Sequence, residues 1–174
     1  MARAFVSVGS NIDPETNIKD ALLRLAREVD IRACSTIYLT DPVGPPGQPS
    51  FYNCVVEIET ELPPGELKFG VLRDIEDGLG RRRSDDKFAP RTIDLDLILY
   101  DDLAMATDNL MLPDPDILQR PYLAISLSEL APGLVLPGSG AYVDEAASNL
   151  PRDSMKPLKS YTELIRKEIL HDRK

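Results

Sequence analysis

Residues 89–100 read APRTIDLDLILY, and apolar residues occupy every second position from Ile93 onward. Successive side chains of a strand point to opposite faces, so this alternation predicts a strand with one apolar face. The apolar face is expected to carry Ile93, Leu95, Leu97 and Leu99, and the other face Asp94, Asp96, Ile98 and Tyr100. The two aspartates are then about 7 Å apart. Because neighbouring carboxylates repel each other, we expect either solvation or a cation between them.

The rest of the chain supplies the elements around this strand. Strands are predicted at 4–9, 31–40 and 51–60, because β-favouring and alternating residues are concentrated there. Helices are predicted after Asp13-Pro14 and after Pro63-Pro64, where proline precedes apolar residues at helical spacing. The order strand, helix, strand, strand, helix, strand predicts an α+β fold. We expect a ferredoxin-like βαββαβ antiparallel sheet with helices on one face, plus a C-terminal extension.

The C-terminal extension defines the predicted domain division. Residues 1–143 are expected to form the main domain, and residues 144–174 a tail. Within the tail, Ser160 and Glu163 have the spacing of a capping box before a short amphipathic helix with Leu164 and Ile169. The sequence leaves open whether this tail packs on the domain, mediates association or does neither.

Composition excludes several classes of function. The net charge of -9 argues against binding to nucleic acid or to an anionic membrane, which requires a basic surface. No signal peptide and no apolar run long enough to span a bilayer is expected. Cys34 and Cys54 form no disulfide framework, which favours a cytoplasmic setting. His171 is expected to be solvated, so catalysis by a serine–histidine or cysteine–histidine pair is poorly supported.

The loop before the aspartate strand is locally basic. From Gly80 to Thr92 five positive side chains stand against two negative ones, a local charge of +3. Arginine binds phosphate through its planar fork, and Mg²⁺ held by one or two carboxylates binds phosphate oxygens. A carboxylate pair beside this loop therefore suggests a metal-bound polyphosphate. The alternative is that the arginines cap the preceding helix, remain solvated and pair with the aspartates.

Several motifs resemble one enzyme family. The run PRTIDLDLILY (90–100) is similar to the signature of the 6-hydroxymethyl-7,8-dihydropterin pyrophosphokinase family. Four further stretches occur in the family's order, namely SVGSN (7–11), TDPVGPPGQPSFYN (40–53), IEDGLGR (75–81) and SELAPGLVLP (128–137). The resemblance implies transfer of pyrophosphate from ATP to the pterin hydroxymethyl group, with release of AMP, in folate biosynthesis. It agrees with the ferredoxin-like order of elements.

The resemblance also implies roles for individual residues. Asp94 and Asp96 match ligands for two Mg²⁺ ions that act with ATP, and Arg81 and Arg91 match arginines that serve the triphosphate and the reaction. The positions implied to bind ATP are Glu76, Arg83, Lys87, Leu97, Asp114 and Arg120. Without the resemblance, Glu76 would be equally well explained as a helix-surface residue.

The implied pterin site combines stacking with hydrogen bonding. Phe51 and Tyr122 match the two aromatics that stack the flat ring, and Asn53 offers a donor and an acceptor to its edge. The stiff loop with Thr40, Pro42 and Val43 matches the segment that reads the pterin. Ordinary core packing is the alternative for Phe51. The expected partners are ATP and hydroxymethyldihydropterin, with no nucleic acid and no membrane, and with a monomer favoured over a weak dimer.

Several positions depart from the family pattern. Asp41 stands where proline is common, Phe88 where tryptophan is common, and Asp114 where histidine is usual. Asn109 and Met111 also replace residues that touch ATP in some members. These departures leave a second hypothesis, a non-catalytic pterin- or nucleotide-binding module on the same fold. Retention of both aspartates and of Arg81 and Arg91 favours the enzyme, because a pure binder has little need of a paired metal site.

Overall fold

A six-stranded antiparallel sheet lies at the centre of the computed structural model, which describes residues 1–170. Its strands are β1 (Ala2–Ser10), β2 (Asp30–Cys34), β3 (Tyr38–Thr40), β4 (Phe51–Thr60), β5 (Asp94–Tyr100) and β8 (Met155–Pro157). Strands β5 and β4 flank β1, and β2 and β3 pair with opposite halves of the far edge of β4. Strand β8 pairs with β3. His171 and the end of the predicted tail lie outside the described residues.

Both predicted helices are present. The second helix is continuous but contains a π-helical turn (Leu67–Leu72) between α2 (Pro64–Glu66) and α3 (Arg73–Gly78), an irregularity often found near functional sites. The helices are α1 (Pro14–Glu28), α2 (Pro64–Glu66), α3 (Arg73–Gly78), α4 (Pro121–Leu130), α5 (Val143–Asn149) and α6 (Lys159–Leu170). A small hairpin of β6 (Met105–Ala106) and β7 (Met111–Leu112) precedes a 3₁₀ turn (Pro115–Leu118). No helix within residues 1–170 is long and apolar enough to cross a membrane.

The two helices of the βαββαβ unit pack on one face of the sheet, as predicted, but a further helix, α4, covers part of the other face. Side chains of α1, of the segment 64–78 and of α6 pack in the main core on one face. On the other face, Phe5 and Val55 pack with Leu123 and Leu127 of α4. The helix α4 has consecutive buried residues from Leu123 to Leu127, so it needs cover on more than one side. It finds that cover between the sheet and α5.

A β-bulge changes the side-chain alternation of β5. Val6 pairs with Leu97 while the preceding Phe5 pairs with Leu99, so β5 has one extra residue at Ile98. An extra residue reverses the alternation beyond it. Leu99 consequently packs with Phe5 in the cluster beneath α4, and Tyr100 packs in the main core on the other face. The predicted faces of Leu99 and Tyr100 are therefore wrong, whereas those of residues 93–98 agree with the structure.

The predicted strand 31–40 is interrupted at residues 35–37. Side chains from elsewhere satisfy the backbone there: Glu129 of α4 accepts the Thr36 N–H (2.9 Å), and Thr162 of α6 accepts the Ile37 N–H (2.9 Å). Buried backbone groups require such partners when a ladder is broken. The interruption is thus held by two helices that lie far away in the sequence.

The C-terminal segment contributes to the same sheet and core as the rest of the chain. Strand β8 extends the sheet beyond β3, and Ile165 and Ile169 of α6 are buried in the main core. The amphipathic helix predicted here is confirmed, but it begins at Lys159, so Ser160 lies within it and not at its cap, and Leu164 is 49% exposed and does not belong to its buried face. Of the outcomes left open for the tail, residues 144–170 pack on the domain.

Candidate active site

The register of the sheet brings the predicted site residues onto one face. Gly9 lies opposite both Asp94 and Asn53, and Ser7 lies opposite Asp96. Directly paired residues of antiparallel strands point to the same face. A cavity of about 450 Å³ opens over this face, beyond the part that α4 covers. Its lining includes the predicted residues Thr40, Val43, Phe51, Asn53, Lys87, Arg91, Asp94, Asp96, Arg120 and Tyr122.

Two arginines from the basic loop hold the first aspartate. Arg81 donates from Nη1 to Asp94 Oδ1 (3.0 Å) and to the Ile93 carbonyl (2.7 Å). Arg91 donates from Nη1 to the other carboxylate oxygen of Asp94, at 2.5 Å. The ion pairing that the sequence left open is therefore real for Asp94. It neutralises this carboxylate and fixes its direction at the cavity wall.

The second aspartate has no such compensation. Within residues 1–170, Asp96 makes no hydrogen bond or ion pair in the structure. Burial in the cavity floor, followed by repulsion from Asp94, raises the pKa of Asp96 to about 7. A carboxylate in this situation fits a cation. No group of three or more His, Cys, Asp or Glu side chains in the described part of the chain could hold a metal alone. Two carboxylates on one cavity face, Asp94 and Asp96, fit Mg²⁺, which commonly takes one or two carboxylates and completes its shell with water and phosphate oxygens.

Glu76 supports the aspartate strand from behind. Its carboxylate accepts the Leu95 N–H (2.8 Å) at the open edge of β5 and pairs with Arg83. Burial, and then the charge of Asp94, raises the pKa of Glu76. In the structure Glu76 thus anchors β5 from outside the cavity lining. Five other predicted site residues also lie outside the lining, namely Pro42, Arg81, Arg83, Leu97 and Asp114. Leu97 is buried in the main core.

The opposite half of the cavity presents amide, hydroxyl and aromatic groups. Asn53 donates from Nδ2 to Thr40 Oγ1 (2.7 Å), and both residues are buried. A Cβ atom at Gly9 would lie 2.5 Å from Asn53 Oδ1, so only glycine permits this position of the amide. Phe51 from β4 and Tyr122 from the start of α4 also line this half.

The two loops that flank the cavity contact each other. The Phe88 ring lies against Gly44, which has a φ of 114°, and the Gln48 amide donates to the Phe88 carbonyl. A side chain at Gly44 would collide with this ring. Phe88 thus connects the basic loop to the proline-rich loop 41–50.

Asp114 serves a local structural purpose. Its side chain accepts the Asp116 N–H (2.9 Å) and caps the 3₁₀ turn. Arg120 pairs with Asp116 (3.0 Å) and lines the cavity. The carboxylate at 114 is therefore directed to the backbone of its own turn.

Sequence reasoning missed several lining residues. Ser7 and Gly9 occur in the SVGSN motif, where their alternation with Val6 and Val8 could have placed them on the site face. Gln48, Ser154 and Met155 also line the cavity, and no local pattern distinguishes them.

The family model described as 7,8-dihydro-6-hydroxymethylpterin-pyrophosphokinase (HPPK) matches residues 5–132. The chain belongs to the HPPK family. It is 35% identical over 164 residues to a 2-amino-4-hydroxy-6-hydroxymethyldihydropteridine pyrophosphokinase of Synechocystis sp., with 92% of this chain and 83% of that protein covered. It is also 34% identical over 149 residues to a folic acid synthesis protein of Dictyostelium discoideum, with 84% of this chain and 22% of that protein covered.

Solved structures support the fold. A Plasmodium falciparum HPPK-DHPS structure has a TM-score of 0.66 and 12% identity, and the match covers 90% of this chain. The HPPK chain described here spans only 47% of that chain's length. At this identity the likeness concerns the fold, a mixed α and β structure with an antiparallel sheet.

Proposed function

We propose that this cavity transfers pyrophosphate from ATP to the hydroxymethyl group of 6-hydroxymethyl-7,8-dihydropterin and releases AMP, a step of folate biosynthesis. The observation that carries this conclusion is the Asp96 carboxylate, which has no hydrogen-bond or ion-pair partner within residues 1–170 and is opposed by the charge of Asp94. It lies on the same sheet face as the amide of Asn53 and beside the pair of Arg91 with Asp94. A metal-bound triphosphate and a flat polar ring can therefore meet in one cavity.

The acidic half supplies charge neutralisation and alignment. Asp94 and Asp96 would hold two Mg²⁺ ions, which supply neutralisation of the triphosphate when bound. Arg81 keeps Asp94 in place, and Arg91 contributes a second positive charge at the cavity wall. In the reaction the hydroxymethyl oxygen bonds to the β-phosphorus and its proton is lost to water, while the bond from that phosphorus to the α,β-bridging oxygen breaks and AMP leaves. Such transfers need positioning and electrostatic stabilisation more than covalent help from the protein.

The half of the cavity opposite the aspartates, with Asn53, Phe51 and Tyr122, recognises the pterin. Asn53, oriented by Thr40 and Gly9, offers its amide to the ring edge, and Phe51 and Tyr122 stack on the ring faces. Backbone groups near Pro42 and Val43 complete the contacts from the proline-rich loop. A stiff loop loses little conformational freedom on binding.

The nucleotide completes the proposed complex. Lys87 and Arg120, which line the cavity, bind the triphosphate directly. Glu76, Arg83, Leu97 and Asp114 lie outside the lining, so we assign them an indirect role, in holding β5 and the 3₁₀ turn beside the nucleotide. We assign the ferredoxin-like arrangement to the sheet, supported by its order β5-β1-β4-β3. A cytoplasmic monomer is proposed as the working form, and the two free, buried cysteines support the reducing compartment.

The direct test is AMP formation from ATP and Mg²⁺ with and without hydroxymethyldihydropterin. We expect AMP only when the pterin is present. Pterin binding without AMP formation would contradict the proposal and support a non-catalytic binding module, which the family relationship does not favour.

Phe51→Ala tests the stacking site. Loss of a ring face and its apolar contact should weaken pterin binding by about 1 kcal/mol or more, roughly fivefold. Calorimetric titration with Mg²⁺ and a non-hydrolysable ATP analogue measures this change. Tyr142→Ala, which removes an aromatic side chain that is 57% exposed, is the control. Equal weakening of nucleotide and pterin binding by Phe51→Ala would show that Phe51 is a packing residue.

Gly9→Ala tests the close approach of Asn53. Because the new methyl group would lie 2.5 Å from Asn53 Oδ1, the amide must move away from its position. We expect about tenfold weaker pterin binding, the effect of losing roughly one hydrogen bond. Gly65→Ala, which meets no atom within 4 Å, is the matched control. Unchanged pterin affinity in Gly9→Ala would contradict the role of the Asn53 orientation.

A further inference from the structure

Strand β8 completes one end of the cavity from outside the family match, which ends at residue 132. Met155 lies opposite Thr40 in the β3–β8 ladder, and Thr40 lies opposite Phe51 in the β3–β4 ladder. Paired residues point to the same face, so these three side chains form a row across the sheet. All three line the cavity.

The same segment holds both ends of β3. The Asp41 N–H donates to the Ser154 carbonyl (3.1 Å), and the Leu158 N–H donates to the Ile37 carbonyl (2.8 Å). Without β8, β3 would be a three-residue edge strand paired on one side only. Such short strands have little stability of their own.

Strand β8 is itself fixed by packing on both sides of the sheet. Met155 packs against the small core that contains Tyr38 and Ala147. The following helix α6 buries Ile165 and Ile169 in the main core on the opposite face. The segment therefore wraps the edge of the sheet as an anchored strap.

Strand β3, which β8 holds in place, is connected to Asn53 through Thr40. Thr40 Oγ1 accepts the Asn53 Nδ2–H at 2.7 Å, and Thr40 is carried by β3. We propose that β8 is a positioning element for the pterin half of the site, acting through Thr40 on Asn53. This inference rests on the proposed function. It assigns to the C-terminal segment a contribution to recognition of the pterin's amide edge.

Lys156 provides a matched pair of variants. Lys156 lies opposite Leu39, between the bonds made at 154 and 158, and its side chain is exposed. In an antiparallel ladder every second residue pair exchanges two backbone hydrogen bonds. The pairs 41–154 and 37–158 are of this kind, so the pair 39–156 between them is too, and Lys156→Pro removes its N–H donor. Lys156→Ala keeps it. We expect Lys156→Pro to weaken pterin binding about tenfold, with the KM for MgATP within about twofold of wild type and Lys156→Ala unchanged.

Met155 provides a second route if Lys156→Pro does not fold. Met155→Ala removes the side chain that packs β8 against Tyr38, and we expect roughly fivefold weaker pterin binding. Met155→Leu should restore the affinity to within about twofold, because its volume is similar. General destabilisation would instead lower the affinity for both substrates.

A double variant shows whether β8 affects pterin binding through Thr40 or independently of it. Pterin binding is titrated with Mg²⁺ and a non-hydrolysable ATP analogue for Thr40→Val, Lys156→Pro and the double variant. If β8 acts through Thr40, Lys156→Pro should change affinity by less than about twofold in the Thr40→Val background. Equal weakening of pterin binding in both backgrounds, or unchanged affinity in Lys156→Pro, would overturn the inference. The proposed function would still stand if the wild-type protein forms AMP. A wild-type protein that forms no AMP would overturn both.

Discussion

Asp96→Asn is expected to lower kcat by about a hundredfold to a thousandfold, the usual range when one electrostatic group is removed from a transition state. The amide keeps the size of the carboxylate and one oxygen, but it lacks the negative charge that would hold the metal. Steady-state AMP formation at saturating ATP and pterin measures the change. Asp94→Asn is expected to act in the same direction, because both carboxylates face the cavity.

Asp102→Asn is the matched control, because Asp102 is exposed and lies outside this cavity. It should retain wild-type turnover. Wild-type rates in both Asp94→Asn and Asp96→Asn would contradict the assignment of the metal site.

Asp96→Asn should also stabilise the metal-free protein. Because burial raises the pKa of Asp96 from 3.8 to about 7, the folded chain keeps a proton that the unfolded chain releases. Stability therefore falls as the pH rises from about 4 to about 7. Asp96→Asn removes this dependence, and we expect a gain of roughly 1–2 kcal/mol at pH 8 and little change at pH 4, since the carboxylate still contacts cavity water. Denaturant unfolding in the presence of a chelator measures both values, and a loss at pH 8 would contradict the argument.

Arg81→Ala should damage both stability and turnover. The Arg81 side chain is 13% exposed and bonds to the Asp94 carboxylate and the Ile93 carbonyl. Its removal leaves a partly buried carboxylate with one positive partner fewer, and it leaves Asp94 free to turn. We expect a loss of about 2–3 kcal/mol in the free energy of unfolding, below the range for a fully buried pair, and at least a hundredfold lower kcat.

Arg82→Ala is a close control for Arg81→Ala, because the neighbouring arginine is exposed. It should change the free energy of unfolding by less than about 0.5 kcal/mol. If the two variants were equally stable, the bonds of Arg81 would be of no structural consequence. The arginine could then be assigned only to the nucleotide.

The site was predictable where its residues share a strand. Asp94 and Asp96 lie two positions apart, so the period of a strand alone places both on one face. Asn53 and Phe51 follow the same rule on β4. The arginine pairing of Asp94 was open in the sequence, because a loop can direct Arg81 and Arg91 either to the aspartates or to solvent.

Other predictions failed because distant segments overrode local pattern. The bulge at Ile98 reverses the faces of Leu99 and Tyr100, and nothing in LDLILY distinguishes it from a regular strand. The cover of the other sheet face was not predicted, because α4 buries several of its sides at once against the sheet and α5.

The sequence by itself determined the βαββαβ order of the main strands and helices, the acidic pair and its opposite apolar face, because each depends on side-chain periodicity over a few residues. The tertiary structure alone decided which partners meet: Gly9 with Asn53, Thr40 with Met155, and Glu76 with the Leu95 N–H. These contacts join residues that are between 19 and 115 positions apart. Strand register and packing of buried surface set such contacts, and both are properties of the whole folded chain.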